Sequence, residues 1–140
     1  MALNINIVTI PHSEQRYDTC GDWWWGPDAT WEFRISKMSD WRYEMLVAIH
    51  ELCECAMCCY MGISQIEVDE FDKAFEARRG EGDVSEPGDD SRAPYRVQHC
   101  IATGVERVIA ALLGVSWSAY ENEVNSLQWR LEPVPKEWGA

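Results

Sequence analysis

The sequence predicts an α+β fold: about three N-terminal β-strands, expected to be antiparallel, followed by about four α-helices. Two observations predict it. Apolar and polar residues alternate only before Ser39, and from there on the apolar residues recur at helical spacing instead. With 140 residues, 46% of them apolar and eight of them Trp, the chain is the size of one folding unit with ample material for a packed core. A single domain is expected over 1–140, with a β region over 1–38 and a helical region over 39–132. An acidic loop over 78–94 interrupts the helices, and a short tail over 133–140 ends the chain. No internal repeat is visible.

The first strand is expected from Leu3 to Ile10, where Leu3, Ile5 and Ile7 share one side and Pro11 ends the run. Two more are expected at Arg16–Trp25 and Thr30–Ser36, around the turn Gly26-Pro27-Asp28. Successive strand residues face opposite ways, so at least one ring of Trp23-Trp24-Trp25 must pack inward, and the run reads as sheet cover.

A long helix follows, capped by Ser39 or Asp40 and stopped at Gly62. Between Met45 and Met61 its ionisable residues, thiols and Tyr60 apart, are His50, Glu51 and Glu54, so most of its surface is expected to be buried. Ser64-Gln65-Ile66-Glu67 is a capping box, with Ile63 and Val68 placed as its hydrophobic staple. In this second helix Val68, Phe71 and Phe75 form the apolar stripe, which Asp72 shares, while Asp69, Glu70, Lys73 and Glu76 are expected to face water. From Arg78 to Pro94 the composition turns to Gly, Pro, Ser and acid, which marks a loop. A third helix is expected from Tyr95 to Leu113, with Pro94 in its first turn and Gly114 as its stop. Ser118-Ala119-Tyr120-Glu121 reads as the cap of a fourth, with Tyr120, Val124, Leu127 and Leu131 on one face and Pro133 and Pro135 beyond its end.

Twenty-four acidic against 12 basic residues give a formal charge of −12. Such a surface repels phosphate, so nucleic acid and anionic membranes are excluded as partners. No apolar run approaches the ~18 residues of a membrane span, and Met1–Ile10 lacks the features of a secretory signal. A cytoplasmic protein is expected, in which Cys53, Cys55, Cys58, Cys59 and Cys100 act as small core residues.

Chemistry concentrates on the two most apolar helices. His50 and Glu54 lie one turn apart and ~40° apart around the axis, so both reach one point, while Glu51 sits ~100° from His50 beside it. On the third helix His99 and Glu106 are two turns apart, within ~20° on one face. Burying unpaired carboxylates costs several kcal/mol each, a large share of a domain's net stability. A single divalent cation held by His50, Glu54 and His99, with Asp72 as a further candidate ligand and Glu106 as orienter of His99 or a ligand itself, removes that cost. Two other arrangements fit the same residues. The histidines and acids can hydrogen-bond one another, with Glu106 paired to Arg107 or Arg96, or Cys55 and Cys58, with Cys53 and Cys59 nearby, can hold a metal of their own.

The strand Trp31-Glu32-Phe33-Arg34-Ile35-Ser36 and the helix carrying Ile49-His50-Glu51-Leu52-Cys53-Glu54 resemble the strand and active-site helix of zincin-like metallopeptidases. The resemblance implies a zincin-like minimal core, His50 and Glu54 as helix ligands, His99 as the later ligand and Glu51 as general base. Glu54 stands where a second His is usual, which suits Zn²⁺ first but also Mn²⁺ or Fe²⁺. Nearly the full chain is also similar to small uncharacterised proteins of tailed bacteriophages and prophages. The segments that carry this similarity include Gly62-Ile63-Ser64, Val68-Asp69-Glu70-Phe71-Asp72, Glu86-Pro87-Gly88, Ala93-Pro94-Tyr95 and Leu113-Gly114-Val115-Ser116-Trp117.

The expected function is a zincin-like, metal-dependent hydrolase of peptide or amide bonds acting on a peptide or protein. Two alternatives stand beside it. One is a non-catalytic phage accessory protein that binds a host protein and keeps a structural metal. The other is a Mg²⁺-dependent nucleotide pyrophosphohydrolase, whose paired E-x-x-E and E-x-x-D motifs resemble Glu51 with Glu54 and Asp69 with Asp72.

Overall fold

The computed structural model describes residues 2–127; the expectations for Leu131, Pro133, Pro135 and the tail fall outside them. Three strands, β1 (Asn4–Ile10), β2 (Gly21–Trp25) and β3 (Thr30–Ser36), form one sheet in the order β1-β3-β2. They are followed by four helices, α1 (Trp41–Met61), α2 (Gln65–Ala77), α3 (Arg96–Leu112) and α4 (Trp117–Leu127). The fold is therefore α+β. The sheet, however, is mixed rather than antiparallel: β2 pairs antiparallel with β3, but β1 runs parallel to it, with Ile5 opposite Trp31 and Ile7 opposite Phe33.

The reason lies in residues 11–20. A tight turn joins β2 to β3, whereas a long irregular segment joins β1 to β2, so β3 is free to insert between them. Side chains pin that segment in place of a ladder. His12 Nδ1 lies 2.8 Å from Ser36 Oγ and its Nε2 2.7 Å from Asp18, and Gln15 Nε2 donates to Arg34 O at 3.1 Å and to Ser36 Oγ at 3.0 Å. Arg16 meanwhile forks onto Asp22 at 2.6 and 2.9 Å. The strand expected from Arg16 thus begins only at Gly21. In β2, Trp23 is buried and Trp25 packs against the same cluster, while Trp24 points to the other face beneath the guanidinium groups of Arg16 and Arg34.

The helix signals fall where the sequence places them, with small offsets. Asp40 caps α1 by accepting from Arg42 N–H, and Gly62 ends it in the left-handed region at φ 73°. Ser64 and Glu67 form the capping box of α2. Pro94 precedes the cap of α3 rather than entering its first turn, and α4 is capped two residues earlier than expected, with Ser116 Oγ accepting from Ala119 N–H. On α2, Glu76 is buried against Arg79 at 2.8 Å and Asp69 is half-buried near Arg16, so neither simply faces water.

α1 covers β2 and β3 and runs opposite to α3: Glu54 meets His99, His50 meets Glu106, and Arg42 donates to the carbonyl of Leu113. Two apolar clusters flank this contact. One gathers Ile35, Leu46, Val47, Ala110, Tyr120 and Val124; the other gathers Trp23, Phe33, Cys55, Cys58, Val68 and Tyr95. All six cysteines are free, but Cys59 and Cys100 are exposed rather than core residues. No described helix is long and apolar enough to cross a membrane.

Candidate metal centre

Between the two clusters the α1–α3 contact turns polar. The helical spacing of His50 and Glu54 stacks them on the α1 face that meets α3, and from α3 His99 is presented to both. His50 Nε2, His99 Nδ1 and Glu54 Oε2 form a triangle with sides of 3.1, 3.1 and 3.2 Å. All three residues are buried.

With both rings neutral, that triangle holds acceptors alone. Glu106 Oε1 lies 2.8 Å from His50 Nδ1 and hydrogen-bonds it, so the neutral ring carries its proton there and turns a lone pair inward at Nε2. Two carboxylates, Glu86 at 3.0 Å and Asp89 at 3.3 Å, stand beside His99 Nε2 and favour the proton on that nitrogen, which leaves a lone pair at Nδ1. Three lone-pair atoms then converge. If both inner nitrogens are protonated instead, two N–H groups abut 3.1 Å apart. A tetrahedral Zn²⁺ with bonds of ~2.0–2.1 Å separates its ligands by ~3.3 Å, close to the spacing found. The donor set fits a divalent cation, and the same three residues are the buried group whose ligand atoms converge.

The surrounding charges are balanced around that point. Burial alone would raise the pKa of Glu54, but hydrogen bonds to His50 and His99 override it and hold the carboxyl down at about 2. Burial works against protonated histidines too, yet contacts with Glu106 and Glu54 carry His50 well above its ordinary value, and Glu54 and Glu86 carry His99 up to about 10. Without a cation the cluster therefore gathers protons in its place. The second oxygen of Glu54 accepts from Trp23 Nε1 at 3.1 Å, which fixes the carboxylate plane.

Glu51 projects to the other side, against β2. Gly21 makes room for it: a Cβ there would overlap the Glu51 carboxylate and Val47. Burial first, then the nearby charge of Glu54, keeps the Glu51 pKa well above the usual carboxylate range. Glu51, His50, Glu54 and His99 all line a cavity of about 680 Å³, bordered by Gly21–Trp23 of β2 on one side and residues 82–89 of the acidic loop on another.

The structure thus brings together His50, Glu54 and His99, with Glu51 adjacent. Two sequence expectations are corrected. Glu106 orients His50, not His99, because the antiparallel course of α3 carries it two turns back along α1. Asp72 is buried on the inner stripe of α2 but stands outside the triad, its oxygens accepting from Tyr17 at 3.1 Å and from Tyr95. Burial drives the pKa of Asp72 well up in spite of these bonds. Cys55 and Cys58 lie in the apolar cluster, where burial lifts both thiols to about 12, the wrong direction for metal-binding thiolates.

The chain matches no protein family, no curated protein and no solved structure.

Sequence reasoning missed Trp23 as the partner of Glu54, and Glu86 and Asp89 as neighbours of His99. Trp23 was detectable only as an inward ring. Glu86-Pro87-Gly88-Asp89 carried one local signal, a glycine beside two acids: Gly88 lies against the His99 ring, which a Cβ would overlap.

Proposed function

We propose that this protein is a metal-dependent hydrolase of peptide or amide bonds. The observation that carries the reading is the convergence of His50 Nε2, Glu54 Oε2 and His99 Nδ1 at the wall of a cavity that also receives Glu51. A bound dication, Zn²⁺ by the donor set and Mn²⁺ or Fe²⁺ next, would lower the pKa of a water and polarise the scissile carbonyl. His50, Glu54 and His99 would hold it, Glu106 and Trp23 orienting the first two. Glu51, beside the site in the same cavity, would take the proton of the attacking water and pass it to the leaving amine. A site of action in a host cytosol is part of this proposal.

The test is metal content by elemental analysis of untagged protein, together with cleavage of a mixed peptide library. At least one equivalent of metal and cleavage abolished by Glu51→Gln support the reading. Protein that takes up no Zn²⁺, Mn²⁺ or Fe²⁺ sinks it.

A second reading, a non-catalytic accessory protein with a structural metal, is favoured by α3. Val97, Ile101, Val108 and Leu112 are 61, 50, 61 and 76% exposed along one stripe, a surface suited to a protein partner. Glu51→Gln would then leave biological activity intact. The nucleotide pyrophosphohydrolase reading loses its second acid pair, since Asp69 is engaged by Arg16 and Gln65, and Asp72 by two phenols.

A further inference from the structure

His50 and His99 differ at their outer nitrogens. His50 Nδ1 makes a regular hydrogen bond to Glu106. His99 Nε2 has no hydrogen bond, although the residue is only 5% exposed and Glu86 Oε2 and Asp89 Oδ1 stand 3.0 and 3.3 Å away. Neither oxygen lies in line with the N–H bond.

Both carboxylates attract a proton to Nε2 but neither is aligned to accept it well, whereas the same placement fits an ion. With bonds of ~2.1 Å from a cation to both nitrogen and oxygen, an oxygen 3.0 Å from the nitrogen sits ~45° off the lone-pair axis, where an N–H donor misses it. The loop is shaped to bring the acids there. Pro87–Asp89 form a single 3-10 turn, closed by Asp89 N–H to Glu86 O and Asp90 N–H to Pro87 O, each at 3.1 Å. Gly88 rests on the imidazole itself.

We infer that Glu86, Asp89 and His99 Nε2 form a second divalent-cation site, so that the His99 ring bridges two ions. This builds on the first site proposed above. The second ion replaces the proton on Nε2, which leaves to water. Glu86 and Asp89 keep 39 and 63% of their side-chain surface, so water completes the outer half of the shell. Two carboxylates and one imidazole suit Zn²⁺ or Mn²⁺.

The test counts ions by native mass spectrometry during titration with Zn²⁺, and reads bridging by electron paramagnetic resonance of the Cu²⁺-loaded protein. Two ions per chain are expected, with the Cu²⁺ signal attenuated by coupling across the ring. Glu86→Gln/Asp89→Asn, at a half-buried and an exposed loop position, should bind one ion and restore the isolated Cu²⁺ signal. Glu54→Gln should also bind one. The inference is overturned if wild type and the loop variant each bind one Zn²⁺ with the same affinity, which leaves the first site standing. One ion unaffected by Glu54→Gln but lost in the loop variant would instead remove the first site and keep the second.

Discussion

The contact between α1 and α3 is built in two ways within a few turns. Toward the start of α1, Leu46, Val47 and Ala48 share a cluster with Ala110, Tyr120 and Val124, entirely by apolar packing apart from a tyrosine hydroxyl. One turn on, His50 and Glu54 face His99 and Glu106, and the contacts join carboxylates to imidazoles and one imidazole to the other. The apolar half gains its stability from area removed from water, whatever the solution holds. The polar half must balance buried charge, and the identity of the balancing cation, protons or a metal, decides its worth. One half holds the helices together, and the other uses the rigidity so provided to fix ligand atoms.

The sharpest way to separate the halves is to change chemistry without changing packing. Glu51→Gln should lower peptide hydrolysis by a factor of about 10²–10⁴, the usual contribution of a general base, while Zn²⁺ content stays at the wild-type level. Equal losses of rate and metal would mean that Glu51 is a ligand rather than a base. Leu46→Ala, at a fully buried site, should cost about 2–5 kcal/mol in urea unfolding and cost the same with and without Zn²⁺. A cost that depends on Zn²⁺ would show the two halves to be one coupled unit. Glu106→Gln should be milder, weakening Zn²⁺ about 10–100-fold because His50 loses the charge that fixes its tautomer. If affinity is unchanged in a competition titration, Glu106 does not orient a ligand.

Much of this division was legible in the sequence, for physical reasons that also mark its limits. Helix ends are local events, so Asp40, Gly62, Ser64 and Glu67 could be read directly. The i, i+4 spacing of His50 and Glu54 is fixed by helix geometry, and their apolar surroundings showed that they face inward. Pairing across elements is not local. Whether Glu106 serves His50 or His99 depends on the direction in which α3 crosses α1, and the parallel placement of β1 depends on side-chain bonds made by residues 12–18. Glu86 and Asp89 looked like part of a solvated acidic loop because composition carries no information on where a loop folds back.

The smallest expected effect is also the most specific to the polar half. Without metal, Glu54 is held down at about 2 from an ordinary 4.5, so its stabilisation is present above that ordinary value and is lost as pH falls toward 2. His99 is raised from 6.5 to about 10, and His50 in the same direction, so their stabilisation is complete below 6.5 and is lost as pH climbs toward 10. Glu51 and Asp72, both raised, also favour the fold below their ordinary values and cease to do so above them. The metal-free protein should therefore be most heat-stable in the mildly acidic range between 4.5 and 6.5 and weaken steadily above it. Zn²⁺ competes with protons for His50 Nε2 and His99 Nδ1, so its stabilisation runs the opposite way and grows from pH 6 to pH 8. Thermal unfolding with and without one equivalent of Zn²⁺ across that range should show two curves that diverge as pH rises. Parallel curves would place the ion away from these histidines. The Leu46→Ala cost, by contrast, should stay level throughout, since burial raises Cys20 and Tyr120, the titratable members of its cluster, further above their ordinary values.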